Sequence, residues 1–534
     1  METRIRRSLA AAAALAVLFP GCSPAKKPQN MILITLDTLR SDHVSCYTPR
    51  NARTPAMDSL AAQGILFENS YCLIPITLPS HASIFFSQPP HAVKNYNNGQ
   101  VIQKLRNRPS FVNLFRKEGF DTAAMVSLGV VGETFGLDEG FLEYQDDFPE
   151  GRWYLSAEEV NHNVLPWIRA HKDRRFFLWI HYSDPHDPYA PPDTPNDLKL
   201  YFNDEPIGEY CLSKYITYDI DLKLRQGKNQ VRFETTNPYA DNPEQFQARL
   251  DLMTVAPPAG ETDVAVERSW GWFTRRGDNV AFFKNRATLD ITAREAGPVR
   301  LTFRGKLLMP LETVRGLYRR EVEYMDGQIG RLFETLRELG LFGNTAILMA
   351  GDHGEGLGDY ISGFGDPHIG HIHYLYDVYM RVPLIIYSPG LAKKGVRRSE
   401  PVTLLDVAPT ITRIMGLDRL PSFKGRDLLG LKKGAETAVF QETYKPESYE
   451  DRFGLLKGPW HMIYSPRNNH YELFNREDDP GEKENQYGDI LSETAAALRK
   501  QLDDFVRGAL KGKVDIKVDD RTEEMLKSLG YIKN

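Results

Sequence analysis

Apolar residues in this chain come in short unbroken runs separated by longer stretches of helical spacing. Residues 31–36, Met-Ile-Leu-Ile-Thr-Leu, form one such run. It is too short for a helix and too continuous for a half-exposed strand. It therefore reads as a strand buried on both faces of a parallel sheet. Residues 121–127, 175–181, 345–350 and 382–387 read the same way. Between these runs, residues 55–64, 110–118, 157–171 and 314–339 carry the spacing of amphipathic helices. Strands alternating with helices predict an α/β fold with a doubly wound sheet.

Between 197 and 309 the period changes from helical to two. Residues 215–224 alternate like a half-buried strand, 226–229 read as a turn, and 230–234, 279–283, 287–293 and 299–304 continue as short strands. Short strands with turn signals and few helices predict an inserted β-sandwich. The expected division is α/β over 31–196 and 310–430, a β-sandwich over 197–309, and a smaller C-terminal α+β part over 431–534.

The N-terminus has a different pattern. Arg4, Arg6 and Arg7 precede an apolar run over 9–19, and Pro20-Gly-Cys22 follows. This is the layout of an export signal, and the run is too short for a typical spanning helix. A Cys directly after a small residue resembles the bacterial lipoprotein signal, which places a lipid on Cys22 and makes 1–22 the signal. A plain secretory signal is the alternative. Residues 23–30 then form a polar tether. The expectation is an exported protein, lipid-anchored on the envelope of a bacterium.

Composition adds limits. The chain has 534 residues, 41% apolar and 26% charged, which is ordinary for globular proteins. A net charge of -5 gives no electrostatic case for nucleic acid as a partner. Cys46, Cys72 and Cys211 make neither a closed disulfide set nor a zinc framework. They are expected as mostly buried thiols, with a Cys46–Cys72 pair left open.

The chemistry gathers around residues 73–86. Thr77 and Ser80 read as helix caps, Pro79 suits a first helical position, and 80–86 read as a buried helix. A hydroxyl at a helix start sits among unpaired N–H groups, which makes an anion site. It is also a nucleophile if a metal or base activates it. An ordinary cap is the bland alternative. In open α/β sheets, ligands bind beyond the carboxyl ends of the strands. Asp37, His181 to His186, and Asp352-His353 all fall there. Two carboxylates and an imidazole form an O/N cradle for a divalent ion, which would lower the pKa of a coordinated Thr77 hydroxyl. Taken singly, Asp37 reads equally as a cap and Asp352-His353 as turn residues.

Several segments stand in a recognisable order: Ile34-Thr-Leu-Asp37-Thr-Leu-Arg-Ser-Asp42-His43, Leu78-Pro-Ser-His-Ala-Ser83, His181-Tyr-Ser-Asp-Pro-His-Asp-Pro-Tyr189, Tyr324-Met-Asp-Gly-Gln-Ile-Gly330, Gly351-Asp-His-Gly-Glu355 and Leu526-Lys-Ser-Leu-Gly-Tyr531. Together they resemble the sulfatase family within the alkaline phosphatase superfamily. The resemblance runs from residue 30 to the C-terminus, apart from the insertion, and implies an alkaline phosphatase-like mixed sheet. It implies metal ligation by Asp37, Asp352 and His353, with Thr77 at the nucleophile position and itself a ligand. His186 matches the histidine that contacts the ester or leaving group. His371 or His373 falls where sulfatases carry an active-site Lys, and His368 is a weaker candidate. His81, His181 and His373 are candidate substrate-binding groups, although His81 and His181 are equally readable as packed, locally bonded residues.

The departures from the family carry weight. Many sulfatases convert a Cys or Ser followed by x-Pro-Ser-Arg into formylglycine. Here the stretch is Thr77-Leu-Pro-Ser-His81, so no formylglycine is expected. A sulfated Thr lacks the aldehyde hydrate's route for releasing sulfate. A phosphorylated Thr needs only in-line attack at phosphorus. Thr38 replaces the second Asp of the calcium-type pair, which favours Zn or Mn over Ca. The expected function is a metal-dependent hydrolase or transferase acting on phosphate or sulfate esters through Thr77, with phosphoesters favoured. Expected partners are a small-molecule, glycan or lipid ester and a membrane reached through the lipid anchor. The alternatives are a sulfatase without formylglycine and a non-catalytic glycan- or surface-binding protein that uses the insert.

Overall fold

The computed structural model describes residues 27–102, 109–149, 151–239, 245–257, 264–274, 280–362, 365–391, 393–444, 450–488, 493–511, 519–529 and 531. The expected signal and Cys22 lie outside the described residues. Among those residues no helix is long and apolar enough to cross a membrane.

The central sheet has eight strands in the order Val396–Arg398, Ile65–Phe67, Leu384–Tyr387, Thr345–Gly351, Asn30–Leu36, Phe176–Tyr182, Asp121–Met125, Glu143–Gln145. Its five strands from Thr345–Gly351 to Glu143–Gln145 run parallel, and Leu384–Tyr387 is antiparallel to both its neighbours. The sheet is therefore mixed. Every residue of Asn30–Leu36, Phe176–Tyr182 and Thr345–Gly351 is buried, as their continuous apolar runs require. Alternate side chains serve two cores. Met31 and Leu33 pack with helices Thr77–Phe86 and Val407–Met415 on one face, while Ile32, Ile34 and Leu36 pack with Pro55–Gln63, Ala157–Ala170 and Leu311–Glu338 on the other.

The insert differs from the expected sandwich. Strands from Leu198–Phe202 to Gly297–Leu307 form one antiparallel sheet, not two. The reason is the 13-residue strand Ala281–Ala293. Along one edge it pairs with Gly227–Thr235 and, further along, with Ala248–Ala256, while its other edge pairs with Val264–Thr274. Both limbs thus hang from one strand, and the sheet curls around Phe233, Leu289, Leu301 and Phe303. The expected turn at 226–229 is mostly the start of strand Gly227–Thr235.

The C-terminal part is a four-stranded antiparallel meander, Val439–Thr443, Arg452–Lys457, Trp460–Ser465 and His470–Asn475. Helix Glu493–Ala509 packs on it through Leu498, Leu502 and Val506. Cys46, Cys72 and Cys211 are free, so Cys46 and Cys72 do not pair. Cys72 is buried against the Tyr379 carbonyl, and Cys46 is half-buried.

Candidate active site

Three parallel strands deliver the site. Leu36 lies in register with Gly351 on one side and Tyr182 on the other. Asp37 and Asp352, each one residue beyond its strand, consequently emerge side by side, with His181 beside them at a strand end. Asp37 N–H donates to the Tyr182 carbonyl (2.9 Å) and Asp352 N–H to the Leu36 carbonyl (3.2 Å). Thr38 follows in the left-handed region at φ 54°, a costly conformation for a β-branched residue. Its N–H donates to Asp352 Oδ1 (3.2 Å) and its carbonyl accepts from Tyr318 (2.8 Å), which hold the turn.

The helix that carries Thr77 starts one turn earlier than the capping pattern implied. It spans Thr77–Phe86, its cap position is Ile76, and no side chain caps it. Thr77 is inside the helix, and Ser80 donates its hydroxyl to the Asp352 carbonyl (2.7 Å) instead of capping. The helix start is a poor amide cradle. Leu78 N–H is taken by Asn98 (2.9 Å), Pro79 has no N–H, and Ser80 N–H bonds Ile76 (3.0 Å). The side chains, not these amides, shape the site.

Thr77 Oγ1 lies 3.2 Å from His353 Nε2. His353 Nδ1 faces the Gly354 carbonyl (3.0 Å), which can only accept, so Nδ1 carries the proton and Nε2 presents a lone pair. That lone pair is 3.7 Å from Asp37 Oδ1 and 3.5 Å from Asp352 Oδ2. Burial holds His353 neutral by lowering its pKa to about 4. Burial, reinforced by the Asp37 carboxylate, pushes Asp352 well above the ordinary carboxylate range. Both Asp37 oxygens and Asp352 Oδ2 are buried without a hydrogen-bond partner. His181 Nε2 is another such atom, 3.6 Å from Asp37 Oδ2, while its Nδ1 bonds Ser127 Oγ (2.9 Å).

These atoms fit a divalent ion. Donors at about 2 Å from a tetrahedral ion lie about 3.4 Å apart, close to the 3.5–3.7 Å separations among the Asp37, Asp352, His353 and His181 atoms. Asp37, Asp352 and His353 form one ligand group, and His81, His181 and Asp352 form another that shares Asp352. His81 fits poorly as a ligand. Its Nδ1 donates to the Thr77 carbonyl (2.8 Å) and its Nε2 faces Thr35 Oγ1 (3.0 Å). Burial lowers its pKa to about 3, so it is a neutral strut beneath the helix.

The other histidines separate cleanly. His186 is buried, with Nδ1 on the Asp187 carbonyl (2.6 Å). His371 lies in the cluster, its ring centroid 4.5 Å from that of His353 and 5.2 Å from that of His186. His371 Nδ1 is held by Glu355 Oε2 (3.2 Å), and its Nε2 has no partner. His373 instead packs on His368 (5.6 Å), and His368 bonds Tyr379 (2.8 Å). Of the residues competing for the Lys position, the structure brings His371 to Thr77's surroundings and turns His373 and His368 elsewhere.

Sequence reasoning missed three neighbours. Glu355 closes the Gly-Asp-His-Gly-Glu segment, and only the tertiary fold shows that it meets His371. Ser127 ends the run at 121–127 and orients His181. Tyr531 lies in the Leu526–Tyr531 segment noted above, and its hydroxyl is 3.1 Å from Thr77 Oγ1 and 2.9 Å from His186 Nε2.

Comparison with known proteins agrees with this layout. The sulfatase family pattern matches residues 29–417, and that of the N-sulphoglucosamine sulphohydrolase C-terminal region matches 371–507. An N-acetylglucosamine-6-O-sulfatase of Bacteroides thetaiotaomicron is 22% identical over 515 residues, spanning 88% of this chain and 84% of that protein. A protein solved with its substrate D-glucosamine-2-N,6-O-disulfate superposes with TM-score 0.58 at 16% identity, over 91% of this chain and 99% of the other. The phosphonate monoester hydrolase of Agrobacterium radiobacter superposes with TM-score 0.56 at 15% identity, over 92% and 96%. These two likenesses speak to the fold. The reading as a purely binding protein is set aside: by the match over 29–417, the chain belongs to the sulfatase family of the alkaline phosphatase superfamily and is an ester hydrolase with a buried His/Asp cluster suited to a metal.

Proposed function

We propose that this chain cleaves phosphate esters through Thr77. The observation that carries the reading is the position of Thr77 Oγ1, 3.2 Å from the lone pair of His353 and beside unpartnered carboxylate oxygens of Asp37 and Asp352. Asp37, Asp352 and His353 would hold the ion, Zn or Mn rather than Ca, with His181 Nε2 as a further donor. Bound there, a divalent ion supplies positive charge beside the Thr77 oxygen and the ester oxygens.

The chain's own residues do the rest. Thr77 oxygen bonds phosphorus as the bond to the leaving oxygen breaks; the proton lost by Thr77 is taken up by His186 Nε2 and passed from there to the leaving oxygen. His186 and His371 stand over this centre and contact the ester, His371 as an imidazole that burial keeps neutral. Water then attacks the phosphorylated Thr77, and the threonine hydroxyl is restored. An alcohol in place of that water would make the reaction a transfer.

A sulfate ester is the second reading, and the family match and the sulfatase relative favour it. Against it stands the chemistry of a threonine, which has no aldehyde hydrate to eliminate sulfate. The organic part of the substrate is proposed to be a small molecule, glycan or lipid. Export and a lipid anchor at Cys22 belong to the proposal, supported by the basic, apolar and small-residue order of the N-terminus.

The test is a paired assay on aryl phosphate, aryl phosphodiester and aryl sulfate with defined metals, coupled to mass spectrometry of quenched protein. Phosphate on the Thr77 peptide is the expected result. Sulfate there would establish the second reading. No adduct, with Thr77→Ala turning over at a comparable rate, would refute both.

A further inference from the structure

We propose that Tyr531 is a catalytic residue, whose hydroxyl donates a hydrogen bond to an oxygen of the group carried on Thr77. The inference rests on the reading of Thr77 as nucleophile and assigns a function to the Leu526–Tyr531 segment.

The argument starts from placement. Tyr531 is buried, although it lies far along the chain from the sheet that bears the site. Helix Asp520–Ser528 brings it there. Met525, Leu526 and Leu529 are buried in the same core as the helix that carries Thr77, Tyr531 N–H closes back on the Leu526 carbonyl (2.8 Å), and Arg521 sits over the Trp153 ring, 5.5 Å from its centroid. The phenol ring enters between two imidazoles, 5.5 Å from His186 and 5.6 Å from His371 between centroids.

The hydrogen positions follow from the neighbours. His186 Nδ1 faces the Asp187 carbonyl at 2.6 Å, so that nitrogen carries the proton and Nε2 accepts. The hydroxyl of Tyr531, 2.9 Å from Nε2, is therefore the donor in that bond. Its oxygen simultaneously lies 3.1 Å from Thr77 Oγ1. A donor this close to the attacking oxygen is within reach of the oxygens of any group bonded to it.

Those oxygens carry the charge that develops during transfer, and they are better acceptors than an imidazole nitrogen. When an ester occupies the site, the hydroxyl turns from His186 to the transferred group. His186 Nε2 is thereby freed to accept the proton that leaves Thr77 and to pass it to the leaving oxygen. Tyr531 keeps its own proton throughout; one hydrogen bond replaces another. A packing anchor would need the ring but not the hydroxyl.

Tyr531→Phe separates the two roles. Loss of one preorganised donor to a transition-state oxyanion lowers turnover by about 10²–10³-fold. We expect kcat/KM on p-nitrophenyl phosphate to fall by about that factor, mainly in kcat. Orthovanadate, a tetrahedral oxyanion, should bind the variant about tenfold more weakly, read from the vanadate-dependent rise in melting temperature at equal metal content. In wild-type crystals soaked with vanadate, the phenol oxygen should lie within about 3 Å of an oxyanion oxygen. A Tyr531→Phe variant within twofold of wild type on both measures overturns the inference. So does a loss of affinity that only tracks lost metal, or a phenol more than about 4 Å from every vanadate oxygen. Wild-type labelling of Thr77 beside an unaffected Tyr531→Phe variant defeats this inference alone. Wild-type protein that neither binds vanadate nor labels Thr77 defeats the nucleophile reading, and this inference with it.

Discussion

The carboxyl edge of the central sheet and the inward row of the curled insert handle polar groups in opposite ways. At the edge, Asp37, Asp352, His181, Glu355 and His371 are buried with polar atoms that no protein group satisfies. Each such atom costs about 1–3 kcal/mol. In the insert the inward row of Phe233, Leu289, Leu301 and Phe303 is apolar, and ion pairs such as Arg300–Asp221 and Lys199–Glu209 stand on the exposed side. The inward row serves the insert's own stability, and the edge is arranged to hold something else. Substitutions that keep shape but remove charge should therefore stabilise the edge while disabling it, and comparable changes should only weaken the insert.

Asp352→Asn is the sharpest case. It keeps the side-chain shape and removes one of two adjacent buried carboxylates. Activity should fall by at least about 10³-fold, because binding of the ion depends on that charge. Metal content should drop in parallel. In metal-free buffer, however, the variant should melt higher than wild type, by an amount corresponding to about 1–3 kcal/mol, since relief of burial and of repulsion from Asp37 outweighs a lost hydrogen bond. Calorimetry in chelator and elemental analysis read both effects. A variant that keeps its metal, or that melts lower when metal-free, contradicts the contrast drawn above.

Phe303→Ala probes the other region. Phe303 is fully buried, with Phe233, Tyr210 and Tyr218 rings around it. Truncation of a buried Phe costs about 3–5 kcal/mol. An early melting step with metal binding and aryl phosphate turnover preserved would show that the insert is energetically separate. Loss of metal in the folded variant would show that it is not.

The same contrast explains what the sequence disclosed. Asn30–Leu36 and Thr345–Gly351 are legible because burial on both faces forces unbroken apolar runs, and their ends mark Asp37 and Asp352. Period two revealed the strands around 218–234, but not that Ala281–Ala293 bonds to both limbs, because hydrogen-bond partners far apart in the chain leave no trace in a local period. The capping pattern misplaced the start of Thr77–Phe86, because Ser80 bonds the Asp352 carbonyl, 272 residues away. Tyr531 was visible as part of a segment but not as a neighbour of Thr77, for the same reason. His81 and His181 looked equivalent in the sequence. Only the structure shows one with both nitrogens engaged and the other with Nε2 directed at Asp37.

A smaller effect tests where the two regions meet. Lys306, on the insert strand Gly297–Leu307, pairs with Asp187, the residue after His186. Burial alone would raise Asp187, but Lys306 brings its carboxyl below the ordinary range. The pair is partly open to solvent, with side-chain exposures of 21% and 30%, so screening limits its strength to about 1 kcal/mol. Its importance is positional, because the Asp187 carbonyl holds His186 Nδ1. Lys306→Met keeps most of the stem and removes the ammonium, both from Asp187 and from over the Tyr215 ring, where Nζ lies 4.4 Å from the centroid. Turnover should fall about fivefold, the equivalent of about 1 kcal/mol, with metal content unchanged. The loss should shrink on substrates with a good leaving group, where contact from His186 matters least. An equal loss on good and poor leaving groups would mean that Lys306 supports the fold of the loop and not the aim of His186. No loss at all would mean that the insert is anchored to the catalytic edge without steering it.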